Sequence, residues 1–225
     1  MNRNVLKIIA LITMIIDHIG GFIFPNIIWF RVIGRISFPI YAFFIAQGMH
    51  YSKNKQKYMI TLFIFGVIAE LPYMFLMKNV YKLNIMFTFV FAGISIMLVN
   101  KLLEKHDFLT FSIIALQFVL LIVLSSQNVL DYGMFGVILI FIFYYARNTK
   151  SIYMIASIIL IIAHSMSNAL VVGFNIDGLV QIFSLLSFIF IGLYNNEKGK
   201  LNLKYFFYVV YPLHLYILWF IVILI

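Results

Sequence analysis

Apolar residues fill this chain in long runs separated by short polar breaks. A helix needs about 20 apolar residues to cross a hydrocarbon core roughly 30 Å thick. By that measure hydropathy marks about nine spans, at residues 5–24, 33–51, 58–77, 83–103, 109–126, 130–146, 152–172, 178–194 and 204–225, of which the second, sixth and eighth are the weakest. The connections are short, none is long enough for a soluble domain, and no internal repeat stands out. The pattern predicts an all-α integral membrane protein, a polytopic bundle of about nine (8–10) transmembrane helices in one domain over residues 1–225.

Lysine and arginine then sort onto alternate connections. Arg3 and Lys7 precede the first span, Lys53, Lys55 and Lys57 follow the second, and Lys101 and Lys105 follow the fourth. Arg147 and Lys150 follow the sixth, and Lys198, Lys200 and Lys204 precede the ninth. The other side carries only Arg31, Arg35, Lys78 and Lys82. Positive residues concentrate on the cytoplasmic side of bacterial membrane proteins, which predicts a cytoplasmic N-terminus and, with nine crossings, a C-terminus outside.

Composition agrees: 64% of the residues are hydrophobic and 10% are charged, against about 25% charged in soluble domains. The net charge of +9 is dispersed between apolar runs, so it points to topology and not to nucleic acid. With no cysteine, disulfides, thiolate-bound metal and acyl-cysteine intermediates are excluded. The first run is too long for the apolar core of a signal peptide and lacks a small-residue cleavage site, so it is expected to be a mature span. The richness in Ile, Phe, Asn, Lys and Tyr resembles proteins of AT-rich bacterial genomes.

The polar residues inside the spans carry the candidate chemistry. Asp17 and His18 lie within the first span, Glu70 midway along the third and His214 midway along the ninth. An ionisable group at that depth costs about 2.5–3.5 kcal/mol even on the mildest insertion scale, so it is rarely idle. Arg31 and Arg35 lie where the first outer connection enters the second span, Asp131 and Tyr132 at the outer start of the sixth, and Asn175, Asp177 and Gln181 at the outer start of the eighth. Pro39, Pro72 and Pro212, each within four residues of an ionisable group (Arg35, Glu70 and His214 respectively), leave the carbonyls of Arg35, Ile68 and Tyr208 without their helical donors. Freed carbonyls at membrane depth are tolerated where the backbone lines protein or water. Together these positions predict a polar cavity reaching from the midplane outward.

Several ordered stretches resemble the TraX family, membrane proteins related to the N-acetylase of F-type pilin. They are Leu6–Ala10, Ile16–Gly20, Arg31–Gly48, Ala69–Pro72, Asn84–Thr88, Asp131–Gly136 and Lys204–His214. The resemblance runs over nearly the whole chain. It departs at Gln47, where the family pattern would place an acidic residue, so no catalytic role is expected there. What the resemblance implies is acetyl transfer across the membrane: acetyl-CoA arrives from the cytoplasm, and an amine or hydroxyl of an extracytoplasmic peptide or glycan receives the acetyl group. No metal is expected, because no His, Asp or Glu spacing suits one.

In that scheme His18 is the expected general base, or alternatively a nucleophile forming a transient acetyl-imidazole; a histidine bridging two helices is the structural alternative. Asp17 points about 100° away from His18 on the helix, so it is expected to pair with Arg31 or Arg35 or to orient His214, in a catalytic or a packing role. Arg31 and Arg35 are expected to stabilise an oxyanion, to bind pyrophosphate or to pair with Asp17 and Glu70, with snorkelling to the interface as the structural alternative for Arg31. Glu70 is expected to pair with Arg35 or a cationic acceptor, and His214 to contact substrate or serve as a second acid/base group. Asp131 and Tyr132 would form the acceptor entrance, although Asp131 could instead cap the sixth span. Asn84 and Tyr211, from the matched stretches, complete the substrate-binding set. His50, His106 and His164 are expected to be structural. The competing functions are a proton-coupled transporter using the buried charges as a relay and a non-catalytic membrane assembly subunit.

Overall fold

The computed structural model describes residues 1–199 and 204–225. Among these the regular structure is helical: α1 (Arg3–Phe22), α2 (Ile28–Gly34), α3 (Ser37–Tyr51), α4 (Lys55–Met77), α5 (Ile85–Lys105), α6 (Phe108–Ser126), α7 (Gly133–Tyr145), α8 (Lys150–Val172), α9 (Ile176–Leu179), a 3₁₀ segment (Val180–Leu186), α10 (Ser187–Gly192) and α11 (Lys204–Leu224). Short polar residues start the long helices. The side chains of Asn2, Asn54, Asn84 and Asp107 accept from the backbone N–H of Val5, Lys57, Met86 and Thr110, satisfying donors that a helix start leaves unpaired. Helices α4 and α5 end where Lys78 and His106 turn left-handed.

These elements fall into the nine segments expected, once α2 is joined to α3 and the stretch 176–192 counts as one. Seven are long and apolar enough to cross a membrane. The other two, α7 and 176–192, are shorter, and they match two of the three weak spans in the sequence. At 1.5 Å per residue the 13 residues of α7 rise only about 20 Å. It is stable because it is enclosed: Phe135, Val137, Leu139, Ile140 and Phe143 are all buried. The second span begins earlier than expected, at Ile28, and is interrupted at Arg35–Ile36. Pro39 stands in the first turn of α3, where its missing N–H costs no helical hydrogen bond.

Helix α3 is the centre of the bundle. Ten of its fifteen residues are buried, and it packs against α1, α5 and α7, with α4, α10 and the 3₁₀ segment also in contact. Helix α1 packs on α2 and α11, and α4 on α5 and α11. Helices α6 and α8 lie outside and turn residues such as Leu116, Ile122, Ile155 and Ile159 outward, a surface suited to lipid.

Backbone contacts assign the loops to two faces. Arg3 N donates to Glu197 O at 2.8 Å, and Lys150 Nζ donates to Gly192 O at 2.7 Å, so the starts of α1 and α8 and the end of α10 share one face, the N-terminal face. On the opposite face Leu83 N donates to Val129 O at 2.7 Å and Asp131 N to Leu83 O at 3.2 Å, joining the α4–α5 and α6–α7 connections. Lys200, one of the basic residues expected before the last span, lies outside the described residues.

Candidate functional site

Asp17 and His18 are neighbours that serve different helices, because successive helical residues point about 100° apart. Asp17 faces α2. Its Oδ2 accepts from Arg31 Nη1 at 2.7 Å, and Arg31 Nη1 also donates to the Asp17 carbonyl at 3.1 Å. Arg35 Nη2 lies 3.5 Å from Asp17 Oδ1. Both expected arginine pairings thus occur, and the alternative of orienting His214 does not. Glycines permit the close approach: a Cβ on Gly34 would overlap the Asp17 side chain, and one on Gly20 would overlap Phe30.

His18 faces α11. Its Nδ1 lies 2.7 Å from Nε2 of His214, and the two rings are nearly parallel, with 6° between their planes. The other nitrogen of His214, Nδ1, lies 3.0 Å from the Val210 carbonyl oxygen. That oxygen can only accept, so in the neutral pair Nδ1 of His214 carries a proton and Nε2 offers a lone pair. His18 Nδ1 then donates to it, which leaves Nε2 of His18 with a free lone pair. The order of donors follows from one backbone carbonyl.

Arg35 joins this pair of helices to the opposite wall. Its Nη1 donates to Tyr132 Oη at 2.9 Å and to Gln181 Oε1 at 3.3 Å. Tyr132 adopts a left-handed backbone, φ 58°, uncommon for a bulky residue, and its ring stacks on Phe38 with centroids 3.8 Å apart. Tyr132 itself stands at the N-terminus of α7, so Asp131 does not cap that helix. Arg35 Nε, Gln181 Nε2 and Asp17 Oδ1 are buried and have no hydrogen-bond partner in the protein.

A cavity of about 490 Å³ opens among these groups toward the face opposite the N-terminus. Asp17, His18, Arg31, Arg35, Asp131, Tyr132 and Tyr211 all line it. His214 stands behind His18, outside the lining, and reaches the cavity only through that ring. Glu70 and Asn84 are set apart. Asn84 donates through Nδ2 to Glu70 Oε2 at 2.6 Å and to Gly66 O at 2.8 Å, while its Oδ1 caps α5. Glu70 therefore pairs with Asn84, not with Arg35, and the two clamp α4 to α5 beside the cavity. Sequence reasoning missed Tyr41, Tyr73 and Lys82 in the lining and did not link Gln181 to Arg35. Tyrosines are too frequent here for their type alone to single out two of them. Of the histidines expected to be structural, His164 stacks on Phe135 at 4.2 Å, away from the cavity lining.

A second cavity, of about 910 Å³, opens on the N-terminal face. Arg3, Lys7, Lys53, Lys57 and Lys198 line it, and among the described residues no carboxylate does. Among the described residues one side chain, Phe207, borders both cavities. Among the described residues no cluster of three or more His, Asp or Glu is placed to hold a metal ion.

The TraX protein family model matches residues 2–222. The chain belongs to the TraX family. Within the curated relatives, the probable fimbrial assembly protein FimC, serogroup H1, of Dichelobacter nodosus is 28% identical over 245 aligned positions, covering 97% of each chain. Protein TraX of Escherichia coli is 30% identical over 94 positions, covering 40% of this chain and 37% of its own. An uncharacterised protein of Rickettsia prowazekii is 27% identical over 149 positions, 66% of this chain and 57% of its own. No solved structure matches the chain. Family and apolar helices together make this TraX-family chain a multi-pass membrane protein of the bacterial inner membrane.

Proposed function

We propose that this chain is a membrane-embedded acetyltransferase that moves an acetyl group from cytoplasmic acetyl-CoA to an amine or hydroxyl of an extracytoplasmic acceptor, a pilin-like peptide or a glycan. The observation that carries the reading is the His214–His18 pair: a base with its second nitrogen held by a partner, at the wall of a cavity that also contains two arginines. Nε2 of His18 takes the proton of the acceptor as its nitrogen or oxygen attacks the thioester carbonyl. Charge builds on the carbonyl oxygen, and Arg35, with Arg31 beside it, offsets that charge. The carbon–sulfur bond then breaks, the proton passes from His18 to the leaving thiolate, and CoA thiol and acetylated acceptor result. His214 holds the imidazolium through the 2.7 Å contact, a positioning role. Asp131 and Tyr132, at the outward-opening mouth, and Tyr211 on the wall are the groups proposed to hold the acceptor. Glu70 and Asn84 act through helix packing.

The basic cavity on the N-terminal face supplies cations where an anionic CoA would arrive, with that face placed in the cytoplasm. The names of the relatives, fimbrial assembly protein and TraX, favour work in pilus assembly or conjugation. The test is purified protein in detergent with labelled acetyl-CoA and candidate peptide and glycan acceptors. His18→Ala should lower kcat at least about 100-fold, the range of a general base. His214→Ala should lower kcat less, with KM unchanged, and add nothing to His18→Ala. Full transfer by a folded His18→Ala would remove the base assignment. A second reading, proton-coupled transport, draws on two cavities opening on opposite faces; saturable solute flux without acetyl transfer would select it.

A further inference from the structure

Among the described residues, Phe207 is the one wall the two cavities have in common. It does not stand alone. Lys7 Nζ lies 5.1 Å from the centroid of its ring and 5.1 Å from that of Phe44, so one ammonium is held between two aromatic faces. Lys7 also lines the basic cavity with Arg3, Lys53, Lys57 and Lys198. The same cation thus answers to two partners: the rings that close the septum and any anion that fills the cavity.

Two helix faces continue the line beyond the septum. On α1, Lys7, Leu11, Met14 and His18 follow the i, i+4, i+7, i+11 spacing of one face. On α11, Phe207, Tyr211 and His214 do the same. Met14, His18 and Tyr211 line or border the outward cavity, and α1 packs on α11. From Lys7 to His18 the rise along α1 is about 16 Å at 1.5 Å per residue. A compact polyphosphate could not bridge that distance, whereas a long flexible arm could.

We propose that Phe207, clamped by Lys7, is a ligand-operated gate between the basic cavity and the His18 cavity. A polyanionic ligand entering the basic cavity draws the ammonium of Lys7 off the Phe44 and Phe207 rings. Phe207 is then free to turn, and a slender acyl-thioester arm passes along the Lys7–Leu11–Met14–His18 face. The arm of this proposal rests on the acetyl-transfer reading; the gate itself rests on the shared ring and its cation.

The chain has no cysteine, so a single Met14→Cys places one thiol beyond the septum. In sealed membranes, a small impermeant methanethiosulfonate is applied to the face carrying the N-terminus, with and without inorganic pyrophosphate. Modification should be slow alone and at least about tenfold faster with pyrophosphate. With Phe207→Ala it should be fast in both conditions, and Lys7→Gln should abolish the response to pyrophosphate. Modification from the opposite face should be equal in all variants, which reports an intact outward cavity. An unchanged rate in Phe207→Ala, or a rate indifferent to pyrophosphate with Lys7 present, overturns the gate. Acetyl transfer without gating removes only the gate, and gating without acetyl transfer removes only the enzyme reading.

Discussion

At the scale of single residues, Asp17 is the point where charge balance and architecture meet. It faces two guanidinium groups, and only Arg31 is substantially exposed, at 33% against 11% for Arg35. Removing one member of a buried pair leaves the other charge uncompensated, a cost of about 3–5 kcal/mol. Exposure of Arg31 discounts that figure, so Asp17→Asn should destabilise by about 3 kcal/mol. A fall in the thermal midpoint of the detergent-solubilised protein would register it, and Asp17→Asn combined with Arg35→Gln should recover part of the loss. His18 differs in kind. Its charge state enters the proposed chemistry directly, and His18→Ala, which leaves His214 Nε2 unpaired, should destabilise by about 1–3 kcal/mol while lowering transfer at least about 100-fold.

At the scale of elements, close helix contact depends on missing side chains. An alanine Cβ at Gly34 would collide with Asp17, whereas one at Gly192 would meet nothing within 4 Å. Overpacking of this kind costs about 1–3 kcal/mol, so Gly34→Ala should lower the midpoint and acetyl transfer together, with Gly192→Ala as the neutral control. Helix α6 offers a separate, pH-dependent case. Asp107 Oδ1 accepts from Thr110 N at 2.7 Å, and Oδ2 accepts from the Thr110 hydroxyl at 2.7 Å. The Thr110 hydroxyl and backbone bonds lower the carboxyl pKa below its ordinary value. The charged cap therefore contributes fully above the ordinary aspartate pKa and is lost as pH falls through the lowered one. The protection factors for amide exchange at the first turn of α6, taken against intrinsic rates at each pH, should fall in that acid window and stay flat above it, and Asp107→Asn should abolish this pH dependence.

At the scale of the whole molecule, the sorting of charge along the segments is the basis for a proposed orientation. Twelve of the sixteen Lys and Arg residues belong to the N-terminal side of the segment order, and four to the other. The positive-inside rule supports the proposal that the N-terminus is cytoplasmic, and counting all nine segments as crossings extends that proposal to a C-terminus outside. A periplasm-dependent alkaline phosphatase joined after Ile225 should be active, and the same reporter joined after Lys105 should be silent. The reverse pattern would invert both cavities and with them the proposed route of the acetyl donor.

The sequence by itself determined the membrane class, nine apolar segments and the placement of Asp17, His18, Glu70 and His214 within them, because hydropathy and the cost of desolvating charge act on each residue wherever its neighbours lie. It also separated Asp17 from His18, since helical geometry is local. The partners were not legible. Glu70 met Asn84, not Arg35, and Gln181 met Arg35, because a pairing depends on which helices become adjacent and in what rotation. Neither the order of donors through His214 nor the ring shared by the two cavities has a signal along the chain. Both arise where α1 and α11, at opposite ends of the sequence, pack against each other.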